Sequence, residues 1–117
     1  MSLLDTTQFS LEAAMRGSML RQTLLSNNLA NVDTPGYQRE DVNFQGQLQQ
    51  AISSGGSPDQ ISFRPGVQAQ TTRADGNGIS AEQESADLAE NGLLYQTLTQ
   101  VAAQRESILK SAIGLGG

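Results

Sequence analysis

Set at about 100° per residue, the apolar positions between Phe9 and Val32 fall into two stripes on one helix. Phe9, Ala13, Leu20 and Leu24 make the first. Leu11, Ala14, Met15, Leu25, Leu29 and Val32 make the second, roughly opposite, with Glu12, Arg16, Arg21 and Gln22 in the strips between and beside them. The pattern predicts a helix over about residues 8–32, about 35 Å long. A helix that is apolar on two sides wants neighbours on two sides, and burying both stripes takes more helices than this chain supplies.

The helix runs into Ser26-Asn27-Asn28-Leu29-Ala30-Asn31-Val32-Asp33-Thr34-Pro35-Gly36-Tyr37 and cannot run out. Thr34 precedes a proline and is pushed toward extended geometry, Gly36 accepts a positive φ, and Asn31 tolerates a left-handed cap. A sharply specified turn therefore follows the helix.

The middle, about residues 33–80, is irregular. Val42, Phe44, Leu48 and Ile52 fit either a short helix or an extended segment, and Ser53 to Asp59 has the composition of a surface loop. Ile61-Ser62-Phe63-Arg64 and Val67-Gln68-Ala69-Gln70-Thr71 alternate about Pro65-Gly66, which suggests a weak β-ribbon. Asp75-Gly76-Asn77-Gly78 is a strong turn signal, and Ser80 with Gln83 three residues on reads as the N-cap of a second helix over about residues 81–113. Glu82, Glu84 and Asp87 sit near that helix's positive end, Arg105 and Lys110 near its negative end. Leu94, Leu98, Val101, Ile108 and Ala112 repeat in steps that sum to heptads, Tyr95, Ala102, Leu109 and Ile113 broaden the stripe, and Gln96, Gln100, Gln104 and Ser107 form a polar back. Gly92 interrupts the helix at a cost of up to about 1 kcal/mol relative to Ala, which points to a bend or a close helix approach there.

Composition changes the picture in one respect. The 117 residues suffice for one domain, yet three Phe, two Tyr and no Trp make a self-sufficient core marginal, so stabilisation by partners is expected. The absence of Cys removes disulfides and thiolate metal sites. A net charge of −5, with seven scattered Lys and Arg, argues against a nucleic-acid partner. Neither a cleaved secretion signal nor a run of roughly 20 apolar residues that would span a membrane is visible.

Candidate chemistry is sparse. With no His, no Cys, no serine in a nucleophile-elbow context and no phosphate-binding glycine loop, an enzyme is disfavoured and no cofactor is expected. Asp75-Gly76-Asn77-Gly78 resembles the start of a calcium loop, but Ala86 occupies the position where the twelfth-residue Glu is required, so a plain turn is the stronger reading. Arg105 lies within the apolar stripe of the second helix, where it either pairs with an acidic residue of a neighbouring subunit or snorkels to the helix edge. Met15 and Met19 read as ordinary seam filling more readily than as adaptable contacts.

The string Asn28-Leu29-Ala30-Asn31-Val32-Asp33-Thr34-Pro35-Gly36-Tyr37 resembles the end of the N-terminal helix in the axial proteins of the bacterial flagellum, the rod and hook family. Arg73-Ala74-Asp75-Gly76-Asn77 and Leu88-Ala89-Glu90-Asn91-Gly92-Leu93-Leu94-Tyr95 look like the C-terminal half of its proximal rod members. The departures are mild, Ser26 and Leu29 standing where the family leads one to expect Ala and Ile. The short middle leaves no room for the large β domains of hook and distal rod members.

The resemblance implies a mainly α fold in which two long terminal helices pair as an antiparallel coiled coil around an irregular middle holding at most a short β-ribbon. It marks Asn28, Ala30, Asn31, Asp33, Thr34, Pro35, Gly36 and Tyr37 as the signature turn. Leu11, Met15, Leu20, Leu24, Leu25, Leu29, Leu94, Leu98, Val101, Ile108 and Ala112 are then the expected assembly seam, with Arg105 as an inter-subunit ion-pair candidate. The implied function is structural: a subunit of the periplasmic proximal rod of the basal body, exported by the flagellar type III apparatus without a cleaved signal. Its implied partners are copies of itself, the rod proteins FlgC, FlgF and FlgG, the adaptor FliE, the export gate and the membrane ring. The alternative from another class is a soluble helical-hairpin adaptor or secretion chaperone.

Overall fold

A computed structural model describes residues 3–67 and 80–115. Helix α1 spans Leu3–Ala30, strand β1 Glu40–Asp41, helix α2 Phe44–Ser53, strand β2 Gly66–Val67 and helix α3 Ala81–Leu115, with a 3-10 turn at Pro58–Gln60. The two long helices pair antiparallel: Gln8 meets Arg105, Ser18 meets Asn91 and Asn28 meets Glu84. Helices of 28 and 35 residues stretch the molecule into a body 65 Å long and 14 Å thin.

The helix boundaries follow from local chemistry. Asp5 places a carboxylate in the first turn of α1, so the helix opens at Leu3, before the apolar pattern that begins at Phe9. Its end is built by amide side chains. Asn31 Nδ2 donates to the Asn27 carbonyl at 2.8 Å, Thr34 Oγ1 donates to Asn31 Oδ1 at 3.1 Å, and Gly36 takes φ +77°. Asn31 itself does not adopt the left-handed conformation, since among the described residues only Gly36 and Gly55 have positive φ. At α3, Ser80 Oγ accepts from Gln83 N at 3.3 Å, the expected N-cap, while the Gln83 amide turns forward and donates to Asp87.

The middle segment folds back along α1. Val42 and Phe44 bury against Leu24, with Ala14, Leu20, Phe63 and Leu94 packed around them. Phe44 and Phe63 meet edge to face, with ring centroids 6.2 Å apart. This close approach requires Gly17, where a Cβ would stand 2.5 Å from Phe44 Cβ. The chain therefore covers part of the first apolar stripe of α1 with its own Val42, Phe44 and Phe63. That corrects the inference that the stripe can be buried only by other helices, because nothing in the local pattern says which way the middle segment turns.

The ribbon exists with a different partner. Glu40 pairs with Val67 and Asp41 with Gly66, antiparallel, so β2 joins the chain leaving α1 and Ile61–Arg64 forms no strand. Residues 68–71 of the suggested ribbon and the Asp75–Gly78 turn lie outside the described residues. Of the Val42–Ile52 stretch, Phe44 to Ile52 falls in helix α2, which Asn43 caps by accepting from Gly46 N at 3.1 Å, and Val42 precedes the cap. Gly92 shows no close approach within the subunit, as a Cβ there would meet nothing within 4 Å.

Candidate assembly surface and helix-exit clasp

Where α1 ends, three elements are tied together by buried polar side chains. Asn28 is fully buried and engages both backbone groups of Glu40: its Nδ2 donates to the Glu40 carbonyl at 2.8 Å and its Oδ1 accepts from Glu40 N at 3.0 Å. Gln47 on α2 repeats the device on the other side of the ribbon, pairing with Arg64 N and O at 2.9 Å each. In both places a carboxamide mimics a neighbouring strand and satisfies an edge that would otherwise stand open.

Charge reinforces the same corner. Arg39 forks onto Glu84, with Nε at 2.6 Å from Oε1 and Nη2 at 3.3 Å from Oε2, and Arg21 forks onto Asp41 at 2.8 and 3.2 Å. Arg39 Nη2 also lies 3.8 Å from Asp41, so the two pairs form one network joining α1, β1 and α3. The hydrogen bond to Glu84 raises the Arg39 pKa above its ordinary value against the opposing effect of burial, and Asp41 does the same for Arg21. Glu84 is 1% exposed and also accepts from Asn28 at 3.4 Å. Its place in the first turn of α3 adds the favourable field of the helix N-terminus.

The α1–α3 interface continues in polar layers. Asn91 is fully buried, donating from Nδ2 to the Ser18 carbonyl and to Gln22 Oε1 at 2.8 Å each, while Ser18 Oγ lies 3.4 Å from Asn91 Oδ1. Arg105 Nη1 donates to Gln8 Oε1 at 2.9 Å, an intramolecular bond to a neutral partner. Among the described residues no buried side-chain polar atom lacks a hydrogen-bond partner.

The expected seam residues divide into three sets. Leu24 and Leu25 are buried within the subunit; Leu11, Met15, Leu20, Leu29, Leu94 and Leu98 are half-buried; Val101, Ile108 and Ala112 are exposed. With Leu93, Leu109 and Ile113, the latter three leave α3 with a long uncovered apolar surface, Ile108 being 67% and Ile113 76% exposed. Of the signature turn, Asn28 is buried, Asn31 and Tyr37 are half-buried, and Ala30, Asp33, Thr34, Pro35 and Gly36 face solvent.

The sequence reading did not single out Ser18, Arg39, Asp41 or Gln47, and took Glu84 only for its helix-end charge. One signal was available: Glu84, Asn91, Leu98 and Arg105 stand at seven-residue intervals, a column in heptad phase with a paired helix. Apolar density drew attention to the Leu94–Val101–Ile108 column instead.

Among the described residues no group of three or more His, Cys, Asp or Glu is placed to hold a metal ion, and no helix is long and apolar enough to cross a membrane. The carboxylates of the clasp are already engaged by arginines.

A family model described as "Flagella basal body rod protein" matches residues 11–38, the length of α1 from Leu11 together with the turn that ends it. The flagellar basal body rod protein FlgB of Yersinia ruckeri is 33% identical over 76% of this chain and 80% of its own. FlgB of Bacillus subtilis is 28% identical over 97% of both chains, and FlgB of Cereibacter sphaeroides 32% over 80% of this chain and 82% of its own. The family-model match thus begins in the two-striped helix and runs through the clasp residue Asn28. The chain belongs to the FlgB family of flagellar basal body rod proteins, and is a structural component of the rod rather than an enzyme.

Proposed function

We propose that this subunit assembles with copies of itself and with FlgC, FlgF and FlgG into the hollow proximal rod. There it links the membrane ring and export gate, through FliE, to the distal rod and transmits torque. The observation that carries the proposal is the uncovered apolar surface of α3, where Leu93, Val101, Ile108, Leu109 and Ile113 are exposed on the isolated subunit. Large apolar side chains exposed along one helix in this number are costly in water, and the cost is relieved by burial against neighbouring helices. Arg105, whose partner inside the subunit is neutral, supplies a cation beside that surface for an acidic residue of a neighbour. Helices with so small a core are marginal alone, which suits export of the unfolded chain through a narrow type III channel, and burial of the apolar surface against neighbours then orders them at the growth site.

The test is a pair of charges placed on this surface. Ile108→Asp with Ile113→Asp is expected to preserve the subunit's circular dichroism and to abolish motility when the variant replaces the resident protein in a flagellated cell. Basal bodies isolated from such cells should lack the rod beyond the membrane ring. Normal rods built from the doubly charged subunit would overturn the assignment of this surface to assembly.

A further inference from the structure

Three of the four residues at 84, 91, 98 and 105 are polar, and each of the three is hydrogen-bonded to α1. Glu84 takes Asn28, Asn91 takes Ser18 and Gln22, and Arg105 takes Gln8, so the bonds fall at three levels along the helix pair. We infer that this column is a register key: it fixes the antiparallel stagger of α3 against α1 by penalising every other heptad alignment.

The argument is one of differences between alignments. Apolar seams tolerate a slide of one heptad, since one Leu or Ala replaces another at each contact. Asn91 does not tolerate it. It is fully buried, and its amide is satisfied only because the carbonyl of Ser18 and the Oε1 of Gln22 lie at its own level. A slide of seven residues sets Asn91 level with Leu11 and Met15, or with Leu25 and Leu29, which takes away the Gln22 Oε1 and the Ser18 hydroxyl and puts a leucine side chain where the small serine lets the amide reach a backbone carbonyl. Glu84 is under the same constraint from Asn28 and Arg39, and a carboxylate buried without them is costlier still. Ser18 is the small partner that admits the amide, at the centre of an α1 column Leu11, Ser18, Leu25. The key sits inside one subunit and is independent of assembly.

The chain has no Cys, so two spin labels can be placed without interference, at exposed Thr23 on α1 and exposed Ala89 on α3. The parent should give one narrow distance. Ser18→Ala with Asn91→Leu should retain helical circular dichroism but give a broadened or second, longer distance, because a slide of one heptad at 1.5 Å per residue moves the two labels about 10 Å out of level. Moving the whole polar layer one heptad along, as L11S/M15Q/S18L/N91L/L98N, recreates it in the original stagger and should restore the single distance. An unchanged narrow distance in S18A/N91L would overturn the inference. Loss of folding in S18A/N91L, repaired by the transplanted layer, supports it; a transplanted layer that repairs neither folding nor the distance overturns it.

Discussion

The carboxamide of Asn28 occupies the place of a strand beside Glu40, bonding its N–H and its C=O across a sequence separation of 12 residues. One side chain at the end of α1 thereby decides where the departing chain lies, and β2 then adds to the strand so placed. Asn28→Leu should strand both Glu40 groups and one proton-accepting edge of Glu84. At roughly 1–3 kcal/mol for each buried polar group left unpaired, a loss of about 2 kcal/mol or more is expected in urea unfolding. A variant within about 0.5 kcal/mol of the parent would show that water replaces the amide and that the strand mimicry contributes little.

The Arg39–Glu84 pair is nearly closed to solvent on the Glu84 side, so its two ends should behave asymmetrically when cut. Arg39→Leu leaves an uncompensated carboxylate at a 1% exposed position and is expected to cost roughly 3–5 kcal/mol. Removing both charges, in R39L/E84L, should recover most of that loss, because the penalty lies in the orphaned charge and not in the absent pair. Denaturation of the two single variants and the double variant completes the cycle; a double variant as unstable as R39L alone would mean that Asn28 and Asp41 depend on the pair for their own placement.

How much of this was legible in the sequence depended on range. Pro35-Gly36, Ser80 and the period of the two helices act on residues within a turn of themselves; the turn and the N-cap lie where those residues indicate, while α1 opens at Leu3, ahead of its apolar pattern. Val42, Phe44 and Phe63 pack on Leu24 through contacts with no local signature, so the cover of the first stripe was invisible. Polar residues at an interface mislead differently. By polarity alone Ser18, Asn28 and Asn91 count as outward-facing, although their hydrogen bonds hold them inside. The phase of α3 was ambiguous for the same reason, since its most apolar column is one that the subunit leaves uncovered beyond Leu94.

Gly17 offers a test in which two known effects oppose each other. In a helix interior Gly→Ala ordinarily stabilises by up to about 1 kcal/mol. Here the added methyl would stand 2.5–2.8 Å from Phe44 Cβ, Cγ and Cδ2, and overpacking of this kind costs about 1–3 kcal/mol. Gly17→Ala should therefore lower the melting temperature by several degrees, as about 1 kcal/mol moves a domain of this size by roughly 4–8 °C. Adding Phe44→Ala removes Cγ and Cδ2 from the contact, so Gly17→Ala should cost less in that background than in the parent. A rise in melting temperature for Gly17→Ala alone would place the Phe44 ring away from α1 in solution.

The seam residues also separate by what their loss should disturb. Leu25 is fully buried inside the subunit, so Leu25→Asp places a carboxylate in a packed interior and should cost roughly 4 kcal/mol or more, enough to unfold a marginal helical chain before any neighbour is met. Val101 is 39% exposed, and Val101→Asp adds its charge where water reaches it, for a loss within about 1 kcal/mol. Thermal unfolding of the two variants in dilute solution should thus differ sharply, while both fail to support motility, the first for want of a folded subunit and the second for want of an apolar contact. Equal stabilities would mean that the second stripe of α1 is open in the free subunit and that Leu25, like Val101, is covered only in the rod.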